Sequence, residues 1–536
     1  MSSPLSRRRH RRFWSIAALC VAVPLGVTAT TVHAGDATTD GLYAGAGLRP
    51  AGSVLELDVA GRGGTASNAS AVSLNLTATQ TGGEGFATVY PCGTQRPGAS
   101  TINYGRGETI ANGIISKVGS NGKVCIYTHA PAHMIVDVNG FFPAGADYRA
   151  LTPARLLDTR PGQRTTDGRH AGDGVRRAGT VLELDVAGRG GTASSAAAVT
   201  VNLTTTQPNA AGFATLYPCG ESRPEASTIN YGRGATIANS VVTKVGSNGK
   251  VCIFTHSQAH VIADVTGYFP AGSDFRPLAP ARLLDTRPGF RTTDGRSAGT
   301  GRLGGGDVLA LDVTGRGGTS SSSAAVSLNL TVTQTAGEGF ATVYPCGSSR
   351  PEASTINYAR GETIANGIIA KVGSNGTVCI YTHAAAHVIV DVDGFFPVGS
   401  DYRPLTPARL LDSRPAALAG PSDVGTARSL AALNQLRATH GAGPVSYDPN
   451  MSAQAMAWSE EMSRSGFRHS SLGYAENIAW HSQSAMSPTQ AADTLNDMWV
   501  NSPGHFRNMT DPRWTRVGIG LHVDGSGWWG THVFTD

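Results

Sequence analysis

Three pairs of histidines at four-residue spacing, His129/His133, His256/His260 and His383/His387, are the first side chains whose type and spacing suggest chemistry. On a helix that spacing puts two imidazoles on one face, where they could hold zinc. Here the flanks alternate like strands or are Ala- and Pro-rich, and no third ligand is evident. The expectation is therefore an exposed loop copied by duplication. Six of the seven cysteines are also paired, each pair 33 residues apart (as in 125 − 92): Cys92–Cys125, Cys219–Cys252 and Cys346–Cys379. Six cysteines allow many connectivities, but tandem repetition leaves one sensible choice, a bridge inside each unit. Each unit has only two cysteines and lacks a CxxC, which argues against a metal cluster. Asn75, Asn202 and Asn329 each begin Asn-Leu-Thr, a glycan acceptor pattern, but they sit in strand-like alternation and read as polar strand faces. No glycine-rich phosphate loop or basic stripe with interleaved aromatics is present, so nucleic acid is not an expected partner.

The elements that must position these residues repeat. Cys92, Cys219 and Cys346 recur at 127 residues (219 − 92 and 346 − 219). Arg155-Leu156-Leu157-Asp158-Thr159-Arg160 returns at Arg282 and, with Ser413 in place of threonine, at Arg409. A period this long means whole domains rather than solenoid turns. Leu55, Leu57 and Val59 alternate with polar residues, as do Leu74, Leu76 and Ala78. Period two is the strand signal. Asn121-Gly122 between Ile114–Val118 and Val124–Thr128 predicts a hairpin, and Met134–Val138 predicts a central strand. Three all-β units of sandwich or barrel type follow, over residues 35–161, 162–288 and 289–420, each expected to fold as an independent bead of a stalk. The Arg-Leu-Leu-Asp segments leave one point open. Either each closes its own unit, or each begins the next and the last is stranded.

Pro153–Arg160 and Val136–Phe142 make these units similar to a module of secreted bacterial proteins that is often attached to unrelated domains and has no settled activity. The N-terminus agrees with export. Residues 1–34 read as a signal peptide: Arg7, Arg8, Arg9, Arg11 and Arg12, then a mostly apolar Phe13–Val27, then Ala34 at the cleavage position. Removing those five arginines from 43 basic against 38 acidic residues leaves a neutral chain, so the basic balance implies no anionic partner. The apolar run is short for a membrane span, and none is expected after processing. Paired cysteines point to an oxidising, extracytoplasmic location, secreted or associated with the cell surface.

Beyond position 420 the pattern changes. Ala427, Leu430, Leu433 and Leu436 predict a helix face. Met451, Ala455, Trp458 and Met462 predict a second helix stopped by Gly466. Ser487-Pro488 predicts the N-cap and first residue of a third, running to about Val500. Val517–Val523 and Trp528–Phe534 predict a hairpin. Residues 421–536 thus read as an α+β domain.

Phe467-Arg468-His469-Ser470, Ala475-Glu476-Asn477-Ile478-Ala479, Trp499, Ser502-Pro503-Gly504-His505 and Gly518-Ile519-Gly520 resemble, in order and spacing, the CAP superfamily of cysteine-rich secretory, antigen 5 and pathogenesis-related 1 proteins. That resemblance implies an α-β-α sandwich with a cleft of histidines and glutamates, which in many members binds a divalent metal. His469 and Glu476 match the early histidine and the glutamate of that cleft, and His505 matches the histidine of the bacterial Ser-Pro-Gly-His motif. The chain departs from the family at Ala475, where glycine is usual, and at Phe506, where arginine is common. No second glutamate is present among Trp499–Ser502, and His532 stands where bacterial members often carry glutamine. The resemblance implies a ligand cleft of His469, Glu476, His505 and His532, with zinc as a candidate cofactor on His469 and His505. Two imidazoles and a carboxylate suffice for zinc or for acid–base work if they converge. The alternative is structural: Glu476 accepting backbone N–H groups and His505 capping a turn. Ser470, Ser471 and Ser502 lie near histidines without a nucleophile motif. The reading favours binding of a lipid, cell-wall glycan or partner protein over catalysis, with a metal-assisted hydrolase or a glycan-binding adhesin as alternatives.

Overall fold

The computed structural model describes residues 38–414, 424–471 and 473–536. The signal-peptide reading and Cys20 lie outside these residues.

The first part of the chain is built from two four-stranded antiparallel sheets per unit, three times over. In the first unit one sheet has the order Ser53–Asp58, Lys123–Thr128, Gly85–Pro91, Ile102–Tyr104. Leu57, Leu74, Val89 and Val136 meet inside, all at most 1% exposed. The bridges Cys92–Cys125, Cys219–Cys252 and Cys346–Cys379 form within the units as expected.

Asn121 and Gly122 take positive φ, as their turn signal requires. The flanking strands nevertheless do not pair with each other. Ile110–Lys117 pairs with Ala69–Thr79, and Lys123–Thr128 pairs with Ser53–Asp58 and Gly85–Pro91 in the other sheet. The expected hairpin is instead a corner between two sheets.

The Arg-Leu-Leu-Asp strands settle the open question in a third way. Arg149–Asp158 pairs with His260–Pro270, Arg276–Asp285 with His387–Pro397, and the last copy, Arg403–Asp412, with His133–Pro143 of the first unit. Each strand begins the next unit, and the last one closes the circle. Charge fixes the register: Arg155, Arg282 and Arg409 lie 2.8, 2.8 and 2.9 Å from Asp264, Asp391 and Asp137 on the receiving strands. The motif's own aspartate, as in Asp158, lies buried between Arg155 and Arg160.

The units are therefore not independent beads, because one core runs through all three. Six rings, Phe142, Tyr148, Phe269, Phe275, Phe396 and Tyr402, form a closed circuit with neighbouring centroids 4.5–4.9 Å apart. Three backbone N–H groups complete a second circuit: Asp147 donates to Asp401, Asp401 to Asp274 and Asp274 to Asp147. Asn75, Asn202 and Asn329 are buried between units, accepting from Asn366, Asn112 and Asn239. The histidine pairs are not loops throughout. His129 is exposed and stacks on Phe86, whereas His133 begins a strand and donates through Nδ1 to the Ser413 carbonyl at 2.8 Å. His260 and His387 bond the equivalent Thr159 and Thr286 hydroxyls.

The C-terminal part is an α-β-α sandwich. Helices α1 (Val424–Thr439), α2 (Pro449–Ser465), α3 (Pro488–Val500) and α4 (Pro503–Thr510) surround a sheet ordered Ser446–Tyr447, Arg516–Asp524, Gly527–Thr535, Ala475–His481. Ser487 and Gln490 form a capping box on α3, as the Ser-Pro signal predicts. Gly466, at φ +102, ends α2. Gly518 and Gly520 let α2 lie against the sheet, since a Cβ there would sit 2.4 and 2.3 Å from the Met451 and Ala455 backbones. The buried positions of α1 are Gly425, Thr426, Ser429, Leu433 and Arg437, with Ala427 outside, so the predicted face is rotated. Arg437 explains part of that rotation. Its buried guanidinium donates to the carbonyls of Gly443, Met509, Asp511 and Trp514.

Candidate functional site

Ala475–His481 is an edge strand, and it organises the candidate site. The Glu476 side chain is only 6% exposed, and its carboxylate lies 2.7 Å from His469 Nδ1. It also accepts the Ser470 N–H at 3.0 Å. His469 sits in the loop after α2, with its ring 61% exposed. The next residue, Asn477, is fully buried and donates to the His505 carbonyl at 3.0 Å. Asn508, one turn along α4, donates to the Asn477 side chain and to the Glu476 carbonyl. The Glu-Asn dipeptide thus ties both histidine-bearing segments to one strand. Arg437 holds the far end of α4 and the loop beyond it.

His505 is half-buried. Burial, and then the nearby charge of His469, hold its imidazole below the ordinary histidine range. It is therefore a neutral donor or acceptor at pH 7. Among the described residues, the three donor atoms of His469, Glu476 and His505 do not come within 4.8 Å of one another; Asp147, Asp274 and Asp401 are the set that does. The trio accordingly does not fit a three-point zinc site as arranged. Glu476 instead stands behind His469, fixing its ring through Nδ1 and leaving Nε2 outward.

His532 does not join them. It is opposite Asn477 in the ladder, whereas Glu476 is opposite Val533, and alternate residues point to opposite faces. His532 is 0% exposed beneath α1 and α3, with Nε2 2.8 Å from the Ser429 hydroxyl and its ring 4.2 Å from Trp499. Its Nδ1 has no partner among the described residues. Burial pushes its pKa down to about 3. It is a core histidine.

Aromatic residues adjoin the site. Trp480 follows Glu476 and Ile478 on the same face of the edge strand and is 40% exposed. Its ring lies 5.7 Å from Trp529, which is 6.4 Å from Phe467, itself 54% exposed. Trp458 donates to the Arg468 carbonyl, and the Arg468 guanidinium covers its ring at 5.0 Å. Sequence reasoning did not assign roles to Asn477, Asn508, Phe467 or Trp480. Asn477 and Phe467 were nevertheless visible inside the quoted motifs.

Residues 430–535 match the model of the CAP, or cysteine-rich secretory protein, family. No curated protein matches the chain. Among solved structures, NaASP2 with Zn2+ is 18% identical, with 22% of this chain and 81% of that chain covered and a TM-score of 0.19. An extracellular protein containing an SCP domain from Bacillus anthracis is also 18% identical, covering 25% of this chain and 53% of that one at a TM-score of 0.17. A cysteine-rich secretory protein from Staphylococcus aureus is 11% identical, covering 29% and 52% at 0.16.

Proposed function

Residues 430–535 are a CAP domain, and we propose that it binds an amphiphilic extracellular molecule, a lipid or a cell-wall fragment, without turning it over. The observation that carries this reading is the exposed His469, held by the buried Glu476 carboxylate, near the exposed Phe467 and Trp480. An apolar wall with a few oriented polar groups suits binding. His469 Nε2 and the neutral His505 supply the polar contacts, while Phe467 and Trp480 supply apolar area. A partner protein with an aromatic or aliphatic anchor would use the same surface. The β body carries the domain outside the cell, a reading supported by its three bridges. No helix among the described residues is long and apolar enough to cross a membrane.

The test is a tryptophan-fluorescence titration of the full chain with phosphatidylcholine vesicles and, separately, with soluble peptidoglycan fragments. Saturable quenching by one of them, lost in Trp480→Ala and Phe467→Ala, is the expected result. The same substitutions leaving the signal unchanged would remove this surface from consideration. A Glu476→Gln protein that keeps its fold but loses a measurable hydrolysis of either probe would replace the binding reading with an enzymatic one.

A further inference from the structure

A groove of about 560 Å³ opens between the second and third β units, remote in sequence from the CAP domain. Through Phe213 and Asn230 it continues into a second hollow of about 610 Å³. One wall carries Arg223, and the other carries Arg287, Phe290 and Arg291 from the segment that follows the Arg-Leu-Leu-Asp strand. The Phe290 ring is 48% exposed, and the Arg287 guanidinium stands over it at 3.6 Å.

The charges in this groove are not all spent. Arg282 is committed to Asp391 and Asp285, and Arg287 to Asp285. Arg223 rests on the Phe254 ring at 3.9 Å, and among the described residues neither Arg223 nor Arg291 is ion-paired. Glu225 also lines the groove, so four guanidiniums face three carboxylates. The equivalent position one repeat earlier is Gln163 (290 − 127), so the exposed ring is particular to this groove.

We infer that this groove binds a segment of an acidic polysaccharide, with a uronic-acid ring lying on Phe290 and its carboxylate meeting Arg223 or Arg291. A sugar offers an apolar C–H face to an aromatic ring, and guanidinium recognises a planar carboxylate through paired N–H donors. The two hollows together accommodate several sugar rings, since a pocket of a few hundred Å³ holds one drug-sized ligand. The second hollow carries two carboxylates, Glu108 and Glu362, and, among the described residues, no guanidinium, so the uronic-acid carboxylate belongs to the first groove. In the second, each glutamate accepts a backbone N–H and keeps oxygen atoms for sugar hydroxyls.

The experiment is calorimetric titration of the full chain with oligogalacturonate, alongside neutral maltohexaose. Saturable oligogalacturonate binding that weakens with salt is expected. The R223Q/R291Q double variant should weaken it by roughly tenfold or more, the factor carried by one charge-assisted contact. F290Q, which installs the residue found at position 163, should weaken it as well. R96Q/R164Q, the matching change one repeat earlier, should leave it intact. Thermal melts control for folding. The absence of oligogalacturonate binding would overturn the inference, and so would equal affinity for maltohexaose. Binding indifferent to R223Q/R291Q and F290Q would do the same, as would an equal loss in R96Q/R164Q.

Discussion

At the scale of single residues, the same side-chain type plays opposite parts in the CAP domain. His469 is presented to solvent by a buried carboxylate, His505 is half-buried beside it, and His532 is sealed beneath two helices. In a proton-NMR titration, His505 should titrate below the ordinary histidine value of about 6.5. Burial is the larger cause, and the His469 charge is the second. His469→Gln removes only the second, so the midpoint should rise part of the way; an unchanged midpoint would mean the two rings do not interact. For His532 the sign is set by a folded pKa of about 3 against 6.5 unfolded. The neutral ring stabilises the fold fully above pH 6.5, and that contribution is lost as pH falls toward 3. His532→Gln should flatten the acid limb of stability over that window, by on the order of a few kcal/mol. This can be read from urea unfolding of the full chain at a series of pH values. The motif residues His469, Glu476 and His505 were legible from their order in the chain. The fate of His532 was not, because a histidine one residue out of register in a strand has the same letters whether it faces a cleft or a core.

Among elements, the edge strand Ala475–His481 and the closing strand Arg403–Asp412 matter most, and local signals served them unequally. Helix caps and stops were legible because they act within a few residues: Ser487 with Gln490, and Gly466 with its positive φ. The Asn121-Gly122 turn was legible as a conformation but not as a pairing. Its backbone is set locally, while the partners of each flanking strand lie elsewhere in the unit. One element carries a testable defect. Asp393, on the strand His387–Pro397, is buried with one carboxylate oxygen unpartnered among the described residues, where the earlier units have Asn139 and Thr266. Burial raises its carboxyl well above the usual range, with the charge of Asp391 adding to the effect. The unfolded chain therefore ionises first, and stability falls as pH rises above about 3.8. Asp393→Asn should be neutral at pH 3 and stabilising at pH 7 by about 1.4 kcal/mol for each pH unit by which burial raises the carboxyl, since an amide does not ionise. Chemical denaturation at the two pH values measures the difference. A gain equal at both would show that the carboxyl's ionisation is not the cause.

For the molecule as a whole, the three repeats form one closed body, and closure depends on a contact between its ends. The period of 127 residues was plain in the chain, but a period does not say whether neighbours merely follow or also interlock. Interlocking here rests on pairing residues 272 apart in sequence, such as Arg409 with Asp137, which no local pattern predicts. That pair is buried on both sides, at 2% and 1% exposure. Removing one partner of a buried pair leaves an uncompensated charge and typically costs about 3–5 kcal/mol. Arg409→Met should therefore weaken the clasp of Arg403–Asp412 on the strand His133–Pro143 of the first unit, although Arg409 belongs by sequence period to the third. Hydrogen exchange reads this directly. Amides of Met134–Val138 should lose protection in the variant, while those of Val388–Val392, held by Arg282 through Asp391, should keep theirs. Loss confined to residues 356–397 would mean that each repeat closes on itself, and the three units would again be beads.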